Sequence, residues 1–137
     1  MKNESRCISR VDEDYLKMAA QAVALAFEVD AEDVLGRKRP EPLVLARQTA
    51  YWLIKRGMSY SFSHTGRMFD RDHGGIMHGV KKVEEVLEMD LTSRNQNGSW
   101  AARVKESKAN FIRFHETYVE SDVHHAMKEA GDAIPAS

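Results

Sequence analysis

Apolar residues recur at helical spacing along most of this chain. From Asp12 to Phe27, Leu16, Ala19, Ala20, Val23, Leu25, Ala26 and Phe27 form a broad stripe that predicts a first helix. In "EVDAEDVLG", Asp30 is a candidate N-cap for a short turn that stops at Gly36. "RKRPEP" reads as an extended basic linker, because a residue before proline is pushed out of helical conformation. Leu43, Ala46, Ala50 and Leu53 mark a second helix to Arg56, and Arg47, Tyr51 and Lys55 share another of its faces. Gly57 is its expected stop. "SYSFSHTGRMF" predicts a short helix starting at Ser61 or Ser63 and ending at Phe69. After the turn "DRD", Ile76, Val80, Val83 and Leu87 place a longer helix from Asp72, its N-cap, to Met89. A polar loop, "DLTSRNQNGS", then leads to a helical segment from Trp100 to about Ala130, and the tail "GDAIPAS" is expected to fray. No stretch alternates as a strand does, and there is no repeat. The expected class is all-α: a small helical bundle with a flexible N-terminus (1–11), a folded unit (12–116) and a C-terminal helical extension and tail (117–137).

Composition narrows the classes. The chain has 137 residues, 42% hydrophobic and 30% charged, as a soluble domain of common size does. No run approaches the ~18 apolar residues of a membrane span. The beginning, "MKNESRCISRVDEDY", lacks the apolar core of a signal peptide, so a cytoplasmic location is expected. A single cysteine, Cys7, rules out an internal disulfide and a cysteine-based zinc site. Net charge is −1, but its distribution is uneven. Between Leu35 and Lys82 ten basic residues face three acidic ones, so this segment carries +7 and the remainder −8. Such asymmetry is expected of a nucleic-acid-facing surface, and charges also cluster on ordinary solvated faces.

The stretch "FDRDHGGIMHGVKKV", Phe69 to Val83, opens a helix on two glycines, each costing about 1 kcal/mol relative to alanine. Two short helices joined by a tight turn form a helix-turn-helix, whose second helix presents its N-terminal residues to base edges in the major groove. Such pairs are also common as plain packing units. The glycines then either admit a close backbone approach to DNA or relieve crowding against Phe69 or Trp52.

"LARQTAYWLIKRGMSYSFSHTG" followed by "RDHGGIMHGVKKVEEV" resembles the C-terminal DNA-binding domain of the bacterial replication initiator DnaA. The likeness runs from about Tyr15 to Glu116, including a terminal helix like "ARVKESKANFIRFHE", and rests on Ala46-Arg47-Gln48 and Arg71-Asp72-His73 together. It implies double-stranded DNA as partner, with no nucleotide or other cofactor, in replication initiation or its regulation within a bacterial or phage-infected cell. Arg39 matches a basic side chain that enters the minor groove, where negative potential is concentrated. Arg47 and Gln48 match residues of the helix behind the recognition helix, with chemistry suited to guanine and adenine. Asp72 and His73 match the base-reading acid and histidine, after Arg71. Lys55, Ser61 and Ser63 lie where phosphate contacts fall. The family's two threonines are here Gly74 and Gly75, which removes methyl groups suited to thymine. The loop before Asp72 is one residue shorter, and the usual Pro, acidic residue and Ile become Ser63, His64 and Thr65. No G-x-x-x-x-G-K-[ST] loop is present, so the chain resembles a free-standing DNA-binding domain without the initiator's ATPase.

Other readings compete. Asp72, His73 and His78 suggest a metal-dependent nuclease, but the histidines are five apart and off a common helix face, and His124 and His125 diverge too. No metal site, serine or cysteine nucleophile motif, or enzyme activity is expected. A transcriptional regulator is a second possibility. A third is a protein-interaction or self-association surface on the acidic, aromatic last helix (Phe111, Phe114, Glu116, Tyr118, Glu120), whose aromatic spacing also suits simple core completion. The DNA-binding reading requires His73 and Arg47 to be exposed on one surface. It also expects Arg47→Ala to weaken duplex binding by roughly 1–3 kcal/mol.

Overall fold

The computed structural model describes residues 9–92 and 99–131, with side chains for all of these except 41, 90–92, 99 and 119–131. Among the described residues the fold is all-α: α1 (Arg10–Phe27), α2 (Ala31–Val34), α3 (Glu41–Gly57), α4 (Phe62–Phe69), α5 (His73–Thr92) and α6 (Ser99–Gly131). Cys7 and the tail lie outside the described residues, as do the side chains of Glu120, His124 and His125.

Local chemistry sets the helix ends. α1 begins two residues before the expected Asp12, because the Ser9 hydroxyl accepts the Asp12 N–H at 3.0 Å. Residues 10 and 11, expected to be flexible, are therefore helical. α3 starts at Glu41 rather than Leu43. Its Pro42 sits in the first turn, where a missing N–H costs no intrahelical bond and the fixed φ suits the helix. Ser61, not Ser63, caps α4 by accepting the His64 N–H at 3.0 Å. Asp72 caps α5 by accepting the Gly74 N–H at 3.0 Å. α5 continues to Thr92, past the expected end at Met89, so residues 90–92, expected in the polar loop, are helical.

α1 lies between two layers. On one side α6 packs along it, where Ala19, Ala22 and Val23 are fully buried. Two polar contacts fix the register there. Asn110 Nδ2 donates to the Ala22 carbonyl at 3.1 Å, and Arg103 Nη1 donates to the Phe27 carbonyl at 3.1 Å. Phe27 and Trp100 stack with centroids 6.2 Å apart. α3 covers another side of α1, and α5 packs on α3 through Ile76, Val80 and Val83, all fully buried. The Arg56 guanidinium closes this layer with two bonds to Glu84, at 2.7 and 3.2 Å. On the last helix, Phe111 is buried in the core, Phe114 packs against it, and the Tyr118 hydroxyl donates to Asp14 at 3.2 Å. No helix among the described residues is long and apolar enough to cross a membrane.

Candidate nucleic-acid interface

α4 and α5 meet in a three-residue turn, Asp70 to Asp72. Asp70 is left-handed (φ 58°), and the Arg71 N–H reaches back to the Gly66 carbonyl at 2.8 Å. This tight reversal needs Gly66: a Cβ there would lie 2.6 Å from the Arg71 backbone oxygen. Tyr51 meets Phe69 edge-on at 4.8 Å and seats the end of α4 on α3. The turn leaves the first turn of α5 in solvent. Asp72, His73, Gly74 and Gly75 are all exposed, with 61% of the His73 side chain accessible.

The crowding explanation for the two adjacent glycines does not hold. A Cβ on Gly75 would meet nothing within 4 Å, and one on Gly74 would meet only the Asp72 carboxylate, at 2.9 Å. Neither Phe69 nor Trp52 is near. Crowding acts instead at Gly66 and at Gly79, where a Cβ would lie 2.8 Å from Tyr51 and 3.1 Å from Gln48. The sequence reading passed over both. Their signal was a glycine inside a helical pattern, which usually has a packing reason.

The basic linker lies beside the turn. Arg71 Nη2 donates to the Gly36 carbonyl at 2.7 Å, and Arg37 Nη2 donates to the Asp70 carbonyl at 3.4 Å. Arg37 also sits 3.6 Å from the Asp70 carboxylate, and Lys38 is 3.3 Å from that of Asp33. Arg39 is exposed and has no ion pair among the described residues. Loop and turn are thus cross-braced, and exposed cations flank the amino end of α5.

Arg47 requires a correction. The expectation that His73 and Arg47 share an exposed surface, which the DNA-binding reading required, is not met: Arg47 is 8% exposed and Nε, Nη1 and Nη2 each donate a hydrogen bond inside, so any DNA-binding reading stands without it. It donates to the carbonyls of Val34 (2.9 Å), Lys38 (2.9 Å) and Asp33 (2.8 Å). These include the last carbonyls of α2, where a cation is favourable. Burial, opposed by Tyr51 and reinforced by Arg71 and Arg37, holds its pKa below the usual arginine value. Arg47 stays charged nonetheless. Its side chain ties α2 and the linker to α3.

The other expected contacts divide. Gln48 is half-buried beneath α5. The Lys55 ammonium lies 4.6 Å over the Phe62 ring. The Ser61 hydroxyl is occupied by capping. Ser63 is exposed and lines an open groove of about 420 Å³ with Arg67, Arg71 and His73. Arg67, exposed on this groove, was not singled out by sequence.

α4 is anchored to α1 by a buried carboxylate. Asp12 accepts the Tyr60 hydroxyl at 2.8 Å and pairs with His64 Nε2 at 2.6 Å, and the Tyr60 and His64 rings stack at 4.2 Å. Burial pushes the Asp12 pKa up, but the bonds from His64 and Tyr60 outweigh it and leave the net value below the usual carboxylate range. Burial, with the bond to Asp12, pushes the Tyr60 phenol up to about 12. Among the described residues no group of histidine, cysteine and acidic side chains is arranged to hold a metal.

Residues 17–83 match the family described as the bacterial dnaA protein helix-turn-helix, and this span contains α4, the turn and the buried part of α5. Over these residues the chain is similar to the DnaA helix-turn-helix. The chain is similar to chromosomal replication initiator protein DnaA of Oenococcus oeni, 32% identical over 87 residues, covering 63% of this chain and 19% of that protein. The Geobacter sulfurreducens DnaA is 34% identical over 89 residues, 64% of this chain and 20% of its own. The Cereibacter sphaeroides DnaA is 39% identical over 69 residues, 50% of this chain and 15% of its own. The chain therefore spans about a fifth or less of the length of these DnaA relatives. Within the DnaA-like segment, linker residues 37–40, Asp70 and the start of α5 at residues 72–75 are among the parts exposed to solvent.

Proposed function

We propose that residues 12–116 bind double-stranded DNA sequence-specifically, in the initiation of replication or its regulation. The first turn of α5 enters the major groove, with Asp72 and His73 facing base edges. Arg39 enters the neighbouring minor groove. Ser63, Arg67 and Lys55 lie toward phosphates. The observation that carries this reading is the cross-brace between the basic linker and the helix-turn-helix turn, Arg71 to Gly36 and Arg37 to Asp70. It holds two exposed recognition elements side by side, so neither needs ordering on binding.

The test is selection of bound duplexes from a random library, followed by titration of the enriched sequence against salt. The expected result is one enriched box, bound more weakly as salt rises. Arg39→Ala is expected to lower affinity without changing thermal stability, since Arg39 is exposed. If no sequence is enriched, or Arg39→Ala binds as the wild type does, the proposed orientation is wrong.

A further inference from the structure

The two glycines at the start of α5 raise the question of which side chains read bases in their place. The rotation of α5 is fixed by its buried row, Ile76, Gly79, Val80 and Val83, pressed on α3. The opposite face carries Gly74 and, one turn later, His78, with Met77 beside it. Both side chains are exposed, Met77 to 46% despite being apolar, on a helix whose other large aliphatic side chains in this region are buried. Side chains in a helix lean toward its N-terminus, so a residue covers surface over the preceding turn. The Cα–Cβ bonds of His78 and Met77 thus point toward the turn that carries Gly74 and Gly75, and neither side chain comes within 4 Å of a Cβ position at either glycine, so that surface is open. Nothing stands in the space above Gly75, and above Gly74 there is only the Asp72 carboxylate that caps the helix.

We infer that Met77 and His78 are the specificity-determining side chains of this recognition helix, reaching base edges across the surface that the two glycines leave bare. This rests on the DNA-binding reading above and deepens it. The thioether of Met77 suits the thymine methyl group, an apolar contact in the major groove. The His78 imidazole has a ring N–H to offer purine N7 or guanine O6. Without Cβ atoms at 74 and 75 the helix can sit closer to the base edges, which brings side chains one turn further on within reach.

The experiment repeats the library selection with Met77→Ala, His78→Ala and the double variant Gly74→Thr/Gly75→Thr, alongside the wild type. Each single variant should lose preference at one or two positions of the wild-type box, with roughly ten-fold weaker binding to it. The slope of affinity against salt should not change, because a base contact releases no counterion. Replacing thymine by uracil at the position lost in Met77→Ala should weaken the wild type and leave that variant unaffected. In the double-threonine variant, Met77→Ala should have little further effect, since the threonines would stand between helix and bases. If the wild type enriches a box and both single variants enrich the same box, this inference is overturned while the DNA-binding reading stands. If the single variants instead weaken binding to all duplexes alike and flatten the salt slope, these side chains act on the backbone and the inference is again overturned. A wild type that enriches nothing overturns both. Both substitutions are at exposed positions, and circular dichroism before titration confirms that each variant is folded.

Discussion

Arg47 separates two accounts of this surface. If it were a base reader, Arg47→Ala would leave the fold intact and weaken binding. Its three hydrogen bonds predict a different outcome. The bond to Val34 is buried, and losing a charged donor there costs about 2–3 kcal/mol, because the carbonyl is left without a partner. The bonds to Lys38 and Asp33 are partly buried, so water can replace the donor, and each is worth about 0.5–1.5 kcal/mol. Such terms do not add fully, and the expected total is about 3–4 kcal/mol, a large share of the stability of a domain this size. For a chain of intermediate length that corresponds to a fall in Tm of roughly 10–15 °C. Arg47→Lys should recover part of this, since an ammonium reaches only some of the three carbonyls. The assay is thermal denaturation of wild type, Arg47→Ala, Arg47→Lys and Arg39→Ala, each paired with duplex titration well below its Tm. A Tm for Arg47→Ala within about 2 °C of wild type, with affinity lost, would refute the reasoning and restore Arg47 as a contact.

Further outcomes follow from other positions. Gly66→Ala places a Cβ against the Arg71 backbone oxygen and should cost more than about 2 kcal/mol in urea denaturation, as overpacking against an immovable atom does. Gly75→Ala enters open space and should stabilise by up to about 1 kcal/mol, so equal effects at the two glycines would contradict the geometry. The folded-state pKa of Asp12 lies below its ordinary value, so its contribution is present above about pH 4 and is lost as pH falls through the depressed value. Asp12→Asn should flatten the acid limb of a stability-against-pH curve. Tyr60 is raised to about 12, so its contribution is complete below pH 10 and lost as pH rises toward 12. Tyr60→Phe should remove that alkaline loss, and an unchanged alkaline limb would count against the Asp12 brace.

Much of the fold was legible because apolar spacing, caps and prolines all agree. Helical periodicity marks the rows Leu43–Ala46–Ala50–Leu53 and Ile76–Val80–Val83–Leu87, and all are buried except Leu87, which is half-buried against the core. Asp72 as a cap followed from its type and position. Helix starts were less legible. Ser9 and Pro42 each extended a helix by two residues, through a hydroxyl cap and through the tolerance of a first turn for proline. At the site, sequence placed Asp72 and His73 in solvent but could not see that Arg47 turns inward. A charged residue at a helical position predicts exposure, and only the fold brings three carbonyls from α2 and the linker around it. The glycines show the same limit. Type alone singles out the adjacent pair, of which Gly75 has open space and Gly74 meets only the Asp72 carboxylate, while the two glycines that permit close packing, Gly66 and Gly79, stand singly. The Asp12–His64 pair joins residues 52 apart in sequence, with no local pattern to announce it.

The same inward turns limit how strongly salt should affect binding. Ten basic residues between Leu35 and Lys82 would suggest as many phosphate contacts. Arg47 is engaged with carbonyls inside, and Arg71 braces the linker. Arg37, Lys38 and Arg56 pair with Asp70, Asp33 and Glu84. Lys55 lies over Phe62, which leaves Arg39, Arg67, Lys81 and Lys82 exposed and without an ion pair among the described residues. With Arg39, Lys55 and Arg67 as contacts and one or two from the lysine pair, about four or five phosphates are neutralised. Each contributes about 0.9 to the slope of log K against log salt, so a slope near −4 is expected. The measurement is a duplex titration between about 50 and 200 mM salt. A slope near −8 would mean that the engaged arginines leave their carbonyl and carboxylate partners on binding, and that the cross-brace opens when the domain docks.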